Sequence, residues 1–342
     1  MKKKLIIQIR TFILGVNHGQ LLQAKGMHDL IKKVLPNASI KYDLYHNHIA
    51  KDIYSQIRKL SLIKTITLLI NWIYFCKFSF PSKSRDFTIF GADTIWMYNH
   101  PIAPNDLFYF GKDITTGQLI SVCPSNAGSA YPSTEELNKL LKKFKFIGVR
   151  DEATKLFIKQ NNNLDVPILC DSAFFLDKSY LNKIKKFNRK NNLSVYANSC
   201  RSIKKEISKN KKVFKVHYLG YFPGFLTSLF KQFSGIYGVL NCIQDSKLLI
   251  TDTFHGVVMA LMTSTPFILI KSKIVLERLD GPLMQCFDNG RIASLKSLND
   301  VLASEFIFDN GDLKSGKLDE FIKYSKDKIT KSLRALTNHD EI

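Results

Sequence analysis

Asp252, Thr253 and His255 stand together in the sequence and offer a carboxylate, a hydroxyl and an imidazole. An imidazole changes charge near neutral pH, so it can give or take a proton during a reaction. A neighbouring carboxylate can orient the ring or accept a proton itself. The surrounding stretch, Lys247–Ile270, reads KLLITDTFHGVVMALMTSTPFILI. Lys247–Thr251 has the apolar, β-branched character of a short buried strand, Gly256–Met262 that of a helix, and Pro266–Ile270 that of the next buried strand. Asp252 or Thr253 can cap the helix. Such a unit builds parallel sheets, and its turn falls at the carboxyl edge, where open α/β sheets bind ligands. A helix start there favours an anion such as phosphate, seated by Thr253 and the amides of Gly256 and Val257. The plain alternative is that many α/β proteins carry an Asp and a His in such a turn.

The rest of the chain must supply the sheets that position this turn. Leu5–Ile9 reads as a first buried strand, followed by Leu14-Gly15-Val16-Asn17-His18-Gly19-Gln20 and a helix over Leu21–Val34. That Gly-containing turn suits phosphate but lacks GxGxxG and a Walker lysine, so it supports neither a dinucleotide fold nor a P-loop. Asn17 and His18 either face a ligand or simply open a helix. Further strands fall at Lys41–Tyr45, Thr88–Phe90, Gln118–Val122 and Val166–Cys170, with helices at Thr134–Phe144 and Ala153–Gln160. Gly91-Ala92-Asp93-Thr94-Ile95-Trp96 is a strand end with a glycine bend and a carboxylate; Trp96 either stacks on a ligand or packs in the core. Ser125 and Asn126 supply polar groups after Gln118–Val122. Arg150, delivered by Phe146–Val149, either clamps an anion with its planar fork or pairs with Asp151 or Asp171.

Lys178–Asn192, KSYLNKIKKFNRKNN, reads as a linker, giving a first domain over residues 1–177 and a second over 193–342. The second domain opens on the strand Leu193–Ala197, with Arg201 near its end, then a strand over Lys212–His217 and helix over Leu226–Cys242. After the TDTFHG turn, Lys271 and Arg278 follow a carboxyl edge and can meet an anionic substrate, while Lys273 reads as solvated. Arg291–Leu295 is a short final strand, and Leu318–Leu336 an amphipathic C-terminal helix.

The chain has 342 residues, a net charge of +21 and 45% hydrophobic residues, enough for two cores. That charge favours polyanions: nucleic acid, an anionic membrane surface or phosphorylated substrates; a lysine-rich habit without a partner is the alternative. No helix-turn-helix, zinc finger or RNP-type strand appears, so nucleic acid is not the expected partner. The six cysteines are singly spaced without a CxxC pair, which argues against zinc and disulfides and for a cytoplasmic setting. Gln8 and Arg10 interrupt the N-terminal apolar run, unlike a signal peptide. Ser55–Phe80 is a basic, aromatic-rich block whose apolar centre, Ile66–Cys76, falls short of a membrane span. It reads as a core helix or as an interfacial helix at the inner face of the plasma membrane.

Thr251-Asp252-Thr253-Phe254-His255-Gly256 resembles the TDSFHG signature of the polysaccharide pyruvyl transferase family. Leu22-Gln23-Ala24, Gly91–Trp96 (the family's GSDQIW), Arg150-Asp151 and Asp171-Ser172-Ala173 agree in order. The resemblance implies two Rossmann-like α/β domains facing a cleft, glycosyltransferase-B-like, with the C-terminal helix crossing back to the first. It implies transfer of a carboxyethylidene group from phosphoenolpyruvate, as co-substrate, to a sugar of a bacterial surface polysaccharide or its lipid-linked precursor, with no cofactor and no metal. On that reading His255 and Asp252 are catalytic. Thr253, Gly256, Val257, Arg150, Arg201, Lys271 and Arg278 meet the donor, and Asn17, His18, Asp93, Trp96, Ser125 and Asn126 meet the saccharide acceptor. Thr253 stands where many members have Ser, and Ala92 where many have Ser. The alternative is a glycosyltransferase of the same architecture using a nucleotide-activated sugar in capsule or exopolysaccharide synthesis.

Overall fold

Short apolar strands alternating with helices build two parallel sheets, as expected where both sheet faces are covered and the strands need no polar side. The structure is a computed structural model and describes residues 4–13, 17–43, 85–100, 105–177, 179, 192–209, 215–219, 235–279, 281–287, 292–298, 302 and 315–338. Expectations for Ser55–Phe80, most of the 178–192 linker, and the 226–234 part of the helix read over Leu226–Cys242 lie outside the described residues.

The chain divides into two compact units, one of Met1–Val16, Gln20–Leu176 and Glu320–Ile342, the other of Asn17–Gly19 and Asp177–Asp319. The first contains β1 (Ile6–Arg10), most of α1 (His18–Val34), β2 (Ser39–Tyr42), β3 (Phe87–Phe90), β4 (Gln118–Val122), α2 (Glu135–Lys142), β5 (Phe144–Gly148) and α3 (Glu152–Asn162). Its sheet runs β2-β1-β3-β4-β5, all parallel, with Ile9 opposite both Tyr42 and Ile89. The second contains β6 (Asn192–Tyr196), α4 (Cys200–Ile207), β7 (Lys215–Leu219), α5 (Gly235–Gln244), β8 (Leu248–Thr251), α6 (Phe254–Met262), β9 (Phe267–Ile270), α7 (Lys273–Leu279) and β10 (Ile292–Ala293). Its sheet runs β10-β9-β8-β6-β7. Both sheets therefore follow one order, in which the first strand of each lies between the second and third, and both reverse direction of winding there. Ligand sites in open α/β sheets open at that reversal: between β1 and β3 in one unit, between β6 and β8 in the other. The C-terminal helix α8 (Ser315–Asn338) has most of its length in the first unit, where Ser325 Oγ accepts from the Cys170 amide at 2.8 Å.

Two local differences from the sequence reading have simple causes. Val166–Cys170 makes a single bridge, Val149 opposite Ile168, rather than a strand. Val149 donates to the Pro167 carbonyl and receives from the Leu169 amide, but Pro167 has no N–H with which to extend the ladder. Helix α6 begins at Phe254 because Thr253, in extended backbone, caps it.

The first unit also buries a charge that its strand pattern hid. Arg10, at the end of β1, is 1% exposed. It donates to Asp43 Oδ2, to Asp113 and to the Phe108 carbonyl, and its guanidinium lies 3.6 Å from the Phe108 ring centroid. A buried charge persists only with such a full set of partners.

Candidate functional site

The second unit's reversal point is formed by the ends of β6 and β8. Strand β8 ends on Thr251, whose hydroxyl donates to the Tyr196 carbonyl on β6 at 2.6 Å and accepts from the Thr253 amide at 3.1 Å. Thr253 Oγ1 in turn accepts from the Gly256 amide at 3.0 Å, and the Thr253 carbonyl accepts from the Val257 amide at 3.3 Å. The two amides expected to seat an anion are thus taken inside the cap. Gly256 is required by contact: a Cβ there would collide with the Thr251 hydroxyl. Asp252 accepts from the backbone amides of Asn198 at 2.7 Å and Ser199 at 2.8 Å, one on each oxygen. Its carboxylate ties the loop after β6 to the loop after β8, whereas the sequence reading assigns it to orienting His255 or taking a proton.

His255 occupies the first turn of α6 and is 8% exposed. Its ring meets Phe254 edge-on at 5.4 Å and rests against Gly19, where a Cβ would overlap ring atoms Cγ and Nδ1. The residues around Gly19 join the same cluster. Asn17 Oδ1 accepts from the Gly19 amide at 2.9 Å and from the Tyr196 hydroxyl at 3.3 Å. The His18 ring lies edge-on to Tyr196 at 6.4 Å. Asn17, His18, Tyr196 and His255 are therefore neighbours in the second unit. Tyr196 is the member that sequence reasoning passed over; as the last residue of a strand ending at the reversal point, it was in a telling position.

In the first unit, α1 presents two glutamines one turn apart to two buried carboxylates. Gln20 Nε2 donates to Asp93 Oδ2 at 3.0 Å and Gln23 Nε2 to Asp171 Oδ2 at 2.5 Å. Asp171 also accepts from Arg150 Nη1 at 3.1 Å, with both side chains buried. That is the structural partner the sequence left open for Arg150. Asp93, at the end of β3 near the reversal point, accepts from the Thr94 amide at 2.8 Å, and Thr94 Oγ1 lies 3.1 Å from His100 Nε2. Ser125 Oγ accepts from the Ala127 amide, and Asn126 Oδ1 from the Gly128 amide and Thr154 Oγ1, so both shape their own loop. Trp96 is fully buried, stacked on Phe110 at 4.9 Å, and its indole N–H donates to the Tyr109 carbonyl at 2.9 Å. A sugar reaches that ring only if the core opens.

Arg201, in α4, and Lys271, after β9, are exposed, and Arg278 on α7 is half-buried. Among the described residues no cluster of three or more His, Cys, Asp or Glu is placed to hold a metal ion, and no helix is long and apolar enough to cross a membrane.

Solved structures share this architecture. The S. aureus MnaA–UDP complex superposes with a TM-score of 0.56 at 12% identity, over 98% of this chain and 97% of that one. UDP-GlcNAc 2-epimerase from Neisseria meningitidis, bound to UDP-GlcNAc, gives 0.53 at 10%, over 97% and 100%. A putative UDP-N-acetylglucosamine 2-epimerase from Listeria monocytogenes gives 0.53 at 11%, over 99% and 97%. At such identities the likeness concerns fold alone. Two parallel five-stranded α/β units of this kind define a protein of the GT-B class. No curated protein matches the sequence significantly. The family model for polysaccharide pyruvyl transferase, however, matches residues 17–273, from Asn17 through the TDTFHG turn and on past Lys271. The chain belongs to that family, and its kinship is that of an enzyme.

Proposed function

We propose that this protein transfers a pyruvyl group from phosphoenolpyruvate to two hydroxyls of one sugar, forming a carboxyethylidene ketal on a bacterial surface polysaccharide or its lipid-linked precursor. The observation that carries the proposal is the gathering of His255, Asn17, His18 and Tyr196 around Gly19 at a sheet-reversal point. Kinship with pyruvyl transferases supports it.

The chemistry balances with acid–base groups alone. The enol CH₂ of phosphoenolpyruvate gains a proton and becomes CH₃, and the carbon bearing phosphate becomes electrophilic. One sugar hydroxyl adds to that carbon and loses its proton. The second hydroxyl then displaces phosphate, and its proton leaves with the departing group. His255 serves as the acid that protonates the CH₂ and as the base that recovers a hydroxyl proton, a role worth about 10²–10⁴-fold. Asp252 acts through the loop it holds rather than by taking protons. Arg201 and Lys271, exposed cations following β6 and β9, attract the donor's phosphate and carboxylate. Arg150 holds Asp171.

The test supplies phosphoenolpyruvate and saccharide acceptors to the purified protein and measures inorganic phosphate release together with an acid-labile ketal product. His255→Ala should lose most of the activity while remaining folded; unchanged turnover removes His255 from the mechanism. The GT-B likeness favours a second reading, transfer from a nucleotide-activated sugar. Thermal stabilisation by phosphoenolpyruvate supports the first reading, and stabilisation by UDP-sugar supports the second.

A further inference from the structure

Tyr196 reaches His255 by two separate routes, both inside the second unit. It is the last residue of β6 and is buried, at 3% exposure. Its carbonyl accepts from the Thr251 hydroxyl at 2.6 Å. With its proton committed there, Thr251 Oγ1 accepts from the Thr253 amide at 3.1 Å and lies 3.0 Å from Thr253 Oγ1. Thr253 caps α6, and His255 follows two residues later. This first route fixes the backbone that carries the imidazole. The second fixes the surface on which the imidazole rests. The Tyr196 hydroxyl donates to Asn17 Oδ1 at 3.3 Å, and the same oxygen accepts from the Gly19 amide at 2.9 Å. These two donors match the two lone pairs of a side-chain carbonyl. The bond from the Gly19 amide closes an Asx turn, which sets where Gly19 stands. Gly19 is the residue against which the His255 ring lies.

A phenylalanine at position 196 would fill the same space and leave the first route intact, since that route uses the backbone. The hydroxyl is the one group that tyrosine adds, and a buried hydroxyl needs a partner. Here the partner is the side chain that holds the support of the imidazole. We infer that Tyr196 is a positioning residue for His255: its carbonyl sets the start of α6, and its hydroxyl, through Asn17 and Gly19, sets the seat of the ring. The inference rests on the reading of His255 as the acid and base of the reaction. Proton transfer needs the exchanging atoms within hydrogen-bond reach, and a misplacement of about 1 Å can cost about a hundredfold. A ring held at its backbone and at its face therefore gains in turnover, while binding of the donor gains nothing. Tyr196 acts through His255 and exchanges no proton with the substrate.

The test reads the ring itself, by nuclear magnetic resonance of the full chain carrying isotope-labelled histidine. The His255 signals are those lost in His255→Ala. Tyr196→Phe should shift the His255 ring nitrogens, with the fold retained by circular dichroism. It should lower kcat roughly two- to tenfold, the worth of one neutral hydrogen bond, and leave KM for phosphoenolpyruvate unchanged. Asn17→Ala should shift the same nitrogens. Adding Tyr196→Phe to Asn17→Ala should change neither the shifts nor kcat further, because the hydroxyl acts through Asn17. His255 signals that Tyr196→Phe leaves in place overturn the inference. So do effects of the two substitutions that simply add, or a rise in KM with kcat held, since the hydroxyl would then act on something other than the ring. A wild-type protein that releases no phosphate from phosphoenolpyruvate would end the reaction reading alone. The ring nitrogens would still decide whether Tyr196 places the imidazole.

Discussion

The imidazole of His255 lies directly on the Cα of Gly19, so closely that any side chain at position 19 would displace it. Gly19 sits inside α1, where alanine is ordinarily favoured by about 1 kcal/mol. A substitution that should strengthen the helix must here push the ring aside. Gly19→Ala is expected to cut turnover toward the level of His255→Ala, a loss of about 10²–10⁴-fold, while lowering the melting temperature. Combining Gly19→Ala with His255→Ala should recover the melting temperature and not the turnover. Calorimetry and phosphate release check the two halves.

Asp252 is expected to matter for the loops rather than for protons. Each oxygen takes one backbone amide, and orphaning such a group costs about 1–3 kcal/mol. Asp252→Ala should therefore lower unfolding stability by a few kcal/mol in urea. Asp252→Asn, which keeps one acceptor, should cost less. The pH profile of residual turnover should keep its shape, since backbone amides hold both carboxylate oxygens.

Three of the four cations offered to the donor divide sharply. Removing Arg150 strands a buried Asp171, so Arg150→Met should cost about 3–5 kcal/mol of stability. Arg201→Ala and Lys271→Ala, at exposed positions, should stay within about 0.5 kcal/mol of wild type and raise KM for the anionic donor. Urea melts beside steady-state kinetics separate these outcomes.

Acid should weaken the first unit through Asp113. Burial pulls its carboxyl upward, but the hydrogen bond and charge of Arg10 outweigh that and hold it below the ordinary carboxylate range. As pH falls, the unfolded chain takes up this proton before the folded one. The group's contribution is complete above about pH 4 and fades as pH drops toward the folded value. Asp113→Asn should flatten the acid limb of stability, measured by urea unfolding across a pH series.

Much of this molecule could be read in its sequence because parallel strands buried on both faces advertise themselves as apolar runs. Gln118–Val122 was legible to the residue, and the TDTFHG turn was legible because a strand, a capping threonine and an apolar helix follow in order. What escaped was non-local. Nothing near Gly19 announces that a histidine from the far end of the family match will rest on it. Arg10 looked like an interruption of an apolar run, because Asp43 and Asp113 reach it from separate segments. Trp96 looked available to a sugar since burial against Phe110 depends on how the loop after β3 folds back. The partners of Asp252 are backbone amides, which carry no mark in the sequence.

The five described cysteines are buried, unbridged thiols: Cys123 and Cys170 in the first unit, and Cys200, Cys242 and Cys286 in the second. Burial also pushes the Cys123 and Cys170 thiols well above their usual range, so neither reacts until it is uncovered. A thiol-specific alkylating reagent followed by peptide mapping would therefore act as two independent clocks, one for the opening of each unit. Donor and acceptor could then be assigned to a unit by asking which clock each of them slows.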